Sequence, residues 1–274
     1  MVRTEHVPIA RLAPALQGYT IAHLSDLHFT GWRPLYDQVR HALQAARPDV
    51  VAVTGDICHR PYQTRHGAML LGRLMEGIDP PDGWLIVGGN HDHLHFSERV
   101  AELVRARPAG LHWPDTARLI EQRVHRVTRG GSVLLLAGLR QKHPVSTYAD
   151  AVATLLNQHR RPEADADAPA ILLAHHPVAA TVARSMRVDL TLAGHTHGGQ
   201  WALPGVHLLH RDPLPKRYIG GLHRLDRGLL NVSRGIGVSG PFRFRLFCRP
   251  ELVLLVLTSA RPDAMAGRPG HVWR

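Results

Sequence analysis

Five apolar runs along the chain end in the same way, with a short cluster of Asp, His or Asn. Thr20–Phe29 is apolar at Ile21, Ala22 and Leu24 and closes on Asp26-Leu-His28. Asp49–Asp56 is apolar on successive residues, as expected of a strand covered on both faces. Trp84–Asp92 ends in Asn90-His-Asp92, Ala170–Pro177 in His175-His176, and Val188–His197 in Gly194-His-Thr-His197. Each run reads as a buried strand. The glycines flanking the last pair of histidines allow the backbone to turn sharply there.

Helical patterns lie between the first strands. Pro34 starts one that runs to about Ala46, with Leu35, Val39, Ala42 and Leu43 on one face. A second spans about Thr64–Met75. Ser97 is placed to cap a third, which reaches about Arg107 and has Glu98 in its first turn. Strand and helix thus alternate three times, and every polar cluster follows the C-terminal end of its strand, where open α/β sheets bind ligands. The pattern then changes. Leu119–Val127 and Ser132–Leu139 flank Arg129-Gly-Gly131 as a β-hairpin. A helix follows over 147–158, then a polar loop at 159–169 whose three carboxylates read as solvated. Short strands are expected over Trp201–Leu209, Gly221–Leu225, Leu229–Ser233 and Glu251–Leu257. Residues 1–18 read as extended and proline-punctuated, and 259–274, rich in Pro, Gly and Ala, as a flexible C-terminal tail. The sum is an α/β chain with two mixed β-sheets packed face to face, helices on the outside, and a single domain over 1–258.

Composition narrows the partners. The 274 residues are 44% hydrophobic and 20% charged, enough for a sizeable core in an ordinary globular protein. Lys and Arg number 33 against 22 Asp and Glu, a formal net charge of +11, and only Lys142 and Lys216 are lysine. The excess favours anionic partners such as phospholipid headgroups or phosphorylated substrates, although codon bias also enriches arginine. No basic run with interleaved aromatics supports nucleic acid, and no obligate protein partner is evident. Cys58 and Cys248 make no disulfide framework and fit a reducing compartment. The N-terminus shows no signal peptide, and the longest strongly apolar run, Leu252–Leu257, is far short of the roughly 18 residues of a spanning helix. A cytoplasmic location is expected, with room for peripheral contact at the inner membrane surface through a basic face such as Arg99–Arg105–Arg107.

The strand ends supply Asp26, His28, Asp56, Asn90, His91, His175, His195 and His197. Nitrogen and oxygen donors without thiolate suit Mn²⁺, Fe, Zn²⁺ or Ni²⁺ rather than a cysteine-held structural zinc. These donors are too many for one open catalytic ion and suit two ions that share a bridging carboxylate.

In order and spacing, Asp26-Leu-His28, Gly55-Asp56, Gly89-Asn-His-Asp92, His175 and Gly194-His-Thr-His197 resemble the five motifs of the calcineurin-like metallophosphoesterases, over about residues 20–257. Pro8–Leu16, His197-Gly-Gly-Gln200, Ser233–Gly237 and Arg245–Glu251 are similar to a bacterial, membrane-associated, lipid phosphodiesterase-like branch. Members of that branch often carry an N-terminal membrane segment, which this sequence does not show.

The resemblance implies the four-layer αββα fold and a set of roles. Asp26, His28 and His197 would hold one divalent ion, Asn90, His175 and His195 the other, and Asp56 would bridge them, with manganese favoured. His91 becomes the general acid for a poor leaving group, and Asp92 either orients that ring or caps a loop. Arg140, Arg234 and Gln200 are candidate substrate contacts. His59, His93 and His95 are candidates to line the cleft, whereas alternation along their strands aims His23 and His176 away from it. The implied function is dinuclear metal-dependent hydrolysis of a phosphodiester, pyrophosphate or phosphomonoester bond by a metal-bridging hydroxide. The substrate class is lipid- or nucleotide-linked, a UDP-diacylglucosamine pyrophosphatase-like activity being one version. A cyclic-nucleotide phosphodiesterase or nuclease on the same site, or a non-catalytic scaffold, are the alternatives.

Overall fold

The computed structural model describes residues 2–141, 147–159, 167–183, 186–200, 202–203, 206–207, 218–240 and 244–259. From residue 260 on, the expected tail lies outside the described residues, as do Glu163 and Asp165 of the polar loop and most of the Trp201–Leu209 strand.

Two six-stranded sheets form the molecule's centre. In the first, β1 (Val2–Ile9) lies at one edge beside β14 (Leu252–Ser259), followed by β2 (Thr20–Leu24), β3 (Val50–Thr54), β4 (Trp84–Val87) and β5 (Ala117–Leu119). Every pair in it is parallel except β14 with β2. The second sheet runs β12 (Gly221–Arg224), β13 (Leu229–Val232), β9 (Leu190–Ala193), β8 (Ala170–Leu173), β7 (Ser132–Gly138) and β6 (Arg123–Arg129). Its outer pairs are antiparallel and its inner pairs parallel. A short pair, β10 (Ala202–Leu203) and β11 (Val206–His207), stands apart.

Burial explains why the strands are apolar on consecutive residues. Val50 and Ala52 of β3 face the core between the sheets, where they join Ile21, Leu85, Leu136, Ile171 and Leu190. Val51 and Val53 face outward, under Val39 and Leu43 of α1 (Pro34–Ala46), Leu71 of α2 (Thr64–Met75) and Val100 of α3 (Phe96–Ala106). On the far side, Leu135 and Leu172 pack beneath α4 (Tyr148–His159) and α5 (Ala179–Ala183). The order is helix, sheet, sheet, helix.

Three local expectations change. Residues 2–9 are a strand, because Val7 and Ile9 reach the inter-sheet core while the backbone pairs with the C-terminal strand. Leu119–Val127 is not one strand. The chain leaves the first sheet after Leu119 and joins the second at Arg123, with Ile120 N–H still donating to Ile86 and Gln122 N–H already donating to Gly138. Ser97 does not cap α3; it lies one residue inside the helix and its hydroxyl donates to Glu121 at 2.8 Å.

One polar chain crosses the sandwich. Arg3 Nη2 donates to Asn231 Oδ1 at 3.1 Å, and the Asn231 amide nitrogen donates to His23 Nδ1 at 2.8 Å. His23 Nε2 then lies 2.8 Å from Thr54 Oγ1. Both imidazole nitrogens are satisfied, which a buried polar ring requires. Burial, with the Arg3 charge adding to it, pushes the His23 imidazole down to about 3, so it is neutral in the fold. The unfolded chain takes up a proton there below about pH 6.5, so His23 makes stability fall as pH drops from that value towards 3. The His23→Gln variant is expected to be less stable than the parent at pH 7. By urea unfolding, that deficit is expected to shrink by about 1.4 kcal/mol per pH unit between pH 6 and pH 4. A constant deficit would contradict a neutral, buried His23.

Candidate metal centre

The polar clusters meet because the ends of β2, β3, β4, β8 and β9 lie side by side at one rim of the sandwich. Asp26, His28, Asp56, His195 and His197 have φ of 52°, 43°, 51°, 68° and 52°. That is the left-handed region, uncommon for residues other than glycine and a mark of functional strain. The strain turns each side chain inward as its strand ends. Two glycines let the loops touch. A Cβ on Gly89 would strike the Asp56 carboxylate, and one on Gly194 would strike Ser25 Oγ and the Asp26 carboxylate.

Backbone donors then fix the carboxylates. Asp26 accepts from His195 N–H at 3.1 and 3.2 Å. Asp56 Oδ1 accepts from His91 N–H at 2.8 Å, leaving Oδ2 to face 3.4 Å to His28 Nε2 and 3.3 Å to His175 Nε2. On one side, His28 Nε2 and His197 Nε2 are 3.1 Å apart and His197 is 3.4 Å from Asp26 Oδ1. On the other, Asn90 Oδ1 is 2.9 Å from both His175 Nε2 and His195 Nδ1. The structure therefore brings all seven predicted donors together, in two groups that meet at Asp56 Oδ2.

The electrostatics suit cations. Burial pushes His28 down to about 3 and His195 to about 2, and it holds His197 well below the usual imidazole range, so these rings offer lone pairs. Burial raises Asp26 to about 6. Burial also acts to raise Asp56, but His175, then His28 and His91, outweigh it and keep this carboxyl well below its ordinary value. Burial acts to lower His175, yet Asp56 above all lifts it to about 9. His175 Nδ1 is tied to the Thr54 carbonyl at 2.8 Å, which leaves Nε2 as the atom facing Asp56. Imidazoles, carboxylates and an amide oxygen, with no thiolate, are the donor set of Mn²⁺, Fe or Zn²⁺, and His175 would bind through Nε2 on giving up the proton that Asp56 stabilises. The residues present fit a pair of such ions.

Other expected residues are placed differently. The His91 ring packs edge-on to His28 with centroids 4.8 Å apart, and its Nδ1 is held by the His59 carbonyl at 3.0 Å, not by Asp92. Asp92 instead accepts from the N–H groups of Ile57, Cys58 and Gly89, so it clamps two motif loops together. Both ends of the Gln200 amide bind the Ser239 backbone, at 2.8 and 2.9 Å. Arg140 stands at a cavity of about 340 Å³ shared with Asn90, but Glu98 (2.6 Å) and Glu121 (3.3 Å) engage its guanidinium. Arg234 is half-exposed, and its side chain covers the space beside Gly198. His59 lies 5.8 Å from His28 by ring centroids, and His93 lines the Asn90 cavity.

Two residues take places the sequence reading did not give them. His176, read as aimed away from the cleft, packs against the His195 ring with centroids 3.7 Å apart and planes tilted by 31°, because the chain turns after Leu173 and strand alternation no longer applies. Arg245 lies with Nη2 3.2 Å from His197 Nδ1 and donates to the carbonyls of His197 and Gly237. Its contact is 48 residues away in sequence, beyond any local pattern.

Comparison with known proteins decides the family. Residues 19–199 match the family model described as calcineurin-like phosphoesterase. This chain belongs to that family. It is 28% identical to the uncharacterized metallophosphoesterase YkuE of Bacillus subtilis, over 93% of this chain and 85% of that protein. It is 29% identical to a bovine transmembrane protein with metallophosphoesterase domain, over 94% of this chain but only 57% of the relative's length. A phosphodiesterase of Escherichia coli, YaeI, is 38% identical over 35% of each chain. The fold is that of TT1561 from Thermus thermophilus (13% identity, 79% of this chain and 89% of that one, TM-score 0.52). The NAD nucleotidase of Haemophilus influenzae is similar in fold too (14% identity, 79% and 45%, TM-score 0.51). The family makes the chain a metal-dependent phosphoester hydrolase.

The two donor groups are expected to fill separately. By elemental analysis after reconstitution with Mn²⁺, Asn90→Ala is expected to retain close to half the metal of the parent, while Asp56→Asn loses most of both. Full occupancy in Asn90→Ala would contradict the placement of Asn90.

Proposed function

We propose that this phosphoesterase hydrolyses a phosphodiester or pyrophosphate bond in a lipid-linked substrate, with two Mn²⁺ ions at the rim of the sandwich. The observation that carries the dinuclear reading is Asp56 Oδ2, set 3.4 Å from one histidine group and 3.3 Å from the other. Two bound divalent ions lower the pKa of coordinated water and neutralise charge on phosphoryl oxygens. Asp26, His28 and His197 would hold one ion, Asn90, His175 and His195 the other, and Asp56 both. Support for a diester comes from the phosphodiesterase named among the relatives, and support for an anionic, lipid-linked one from the formal net charge of +11. Among the described residues no helix is long and apolar enough to cross a membrane.

The chain's own residues supply orientation and a proton. The His59 carbonyl occupies His91 Nδ1, so Nε2 is the atom that gives a proton to the departing alkoxide. Asp92 keeps the His91 loop against the Asp56 loop. A scaffold with a decayed centre does not need seven donors and a positioned histidine, which favours an enzyme.

Chelator-stripped protein is expected to be inactive and to regain hydrolysis with Mn²⁺, bis-p-nitrophenyl phosphate being preferred over p-nitrophenyl phosphate. In the same assay His91→Ala slows an alkyl diester on the order of 100-fold while changing the nitrophenyl diester little, since only the alkoxide needs the proton. Absence of metal-restored turnover on either ester, with both ions bound, would sink the reading.

A further inference from the structure

The large hydrophobic side chains exposed among the described residues are Val2, Tyr62, Leu94, Phe244, Leu246 and Phe247. All but Val2 lie on loops, or in the one-turn 3₁₀ helix Pro61–Gln63, next to segments that touch the metal centre. On one side, Leu94 lines the cavity that includes Asn90 and Pro61, and Tyr62 follows Pro61. On the other side, Leu246 N–H donates to the Gln200 carbonyl at 3.0 Å, while neighbouring Arg245 touches His197. Phe244 and Phe247 flank that pair. Tyr62 and Phe247 are 75% and 73% exposed, which is costly for side chains of this size unless something covers them.

The charge around these side chains has one sign. Segments 57–66, 93–97 and 234–250 contain no Asp or Glu. They carry exposed Arg60, Arg65 and Arg249 and the half-exposed Arg234. Arg234 already meets the buried carboxylate of Glu251 at 4.0 Å, and arginines elsewhere meet carboxylates too, as Arg129 does with Asp49 and Asp82. The face expected from sequence, Arg99–Arg105–Arg107, is a poorer candidate, because exposed Glu98 and Glu102 share its helix and no large exposed side chain accompanies it.

We propose that the protein docks on an anionic lipid bilayer through this rim, with Phe244, Leu246 and Phe247 entering the acyl boundary on one side of the cleft and Tyr62 and Leu94 on the other. Arginines between them meet lipid phosphates, which guanidinium recognises through paired N–H donors. The metal centre then faces the membrane surface, and its substrate is an amphiphilic phosphate ester that stays in the bilayer. That last clause rests on the proposed phosphoesterase function; the docking itself does not.

The test is co-sedimentation of the metal-loaded full chain with vesicles of phosphatidylcholine, with and without phosphatidylglycerol, beside hydrolysis of bis-p-nitrophenyl phosphate in solution. Binding is expected only with phosphatidylglycerol, weakening as salt rises. The Phe244→Ser/Phe247→Ser variant is expected to bind at least about tenfold more weakly and to hydrolyse the soluble diester at the parental rate. Arg60→Gln/Arg249→Gln is expected to lose the preference for anionic vesicles. No sedimentation with anionic vesicles, parental binding by the Phe double variant, or a rim-dependent dimer in place of vesicle binding would overturn docking. Vesicle binding without diester hydrolysis would support docking and count against the phosphoesterase reading alone.

Discussion

Asp26 and Asp56 are both buried at the ends of neighbouring strands, and the centre is organised around that juxtaposition. Two carboxylates removed from water in one spot repel one another, and each loses its hydration. The fold offsets this with backbone N–H groups from His195 and His91 and with the His175 imidazole, which holds a proton beside Asp56. Divalent cations held there would complete the compensation more fully than any of these. The left-handed backbone at five of the donor positions, and the glycines that let loops touch, serve to keep the two carboxylates and their histidines at one point.

From that constraint the roles of the surrounding residues follow. Asp92 clamps loops through three backbone donors, Gln200 braces the histidine loop on Ser239, and the Arg3–Asn231–His23–Thr54 chain ties both sheets to the carbonyl that orients His175. None of these need touch substrate. They explain why so many polar groups are buried at this end of an otherwise apolar sandwich.

Much of this was legible because β3, β4, β8 and β9 are buried on both faces, so all their residues but Thr54 and Thr191 are apolar and their ends are marked by polar clusters. Helices α1 and α2 fell within the expected bounds because their apolar faces repeat with helical spacing. Edge strand β1 was not, since only Val7 and Ile9 of its eight residues are buried. Residues 120–122 carry no turn signal, yet the chain changes sheets there. The tasks of Asp92, Gln200, His176 and Arg245 depend on partners brought close by folding, which no spacing in the sequence encodes.

The central claim is that Asp56 joins two cations into one centre, and electron paramagnetic resonance on protein reconstituted with Mn²⁺ tests it most directly. Two ions sharing a carboxylate, about 3.5–4 Å apart, are expected to give a spin-coupled spectrum that collapses in Asp56→Asn. A simple six-line signal from isolated Mn²⁺, unchanged by that substitution, would contradict the account.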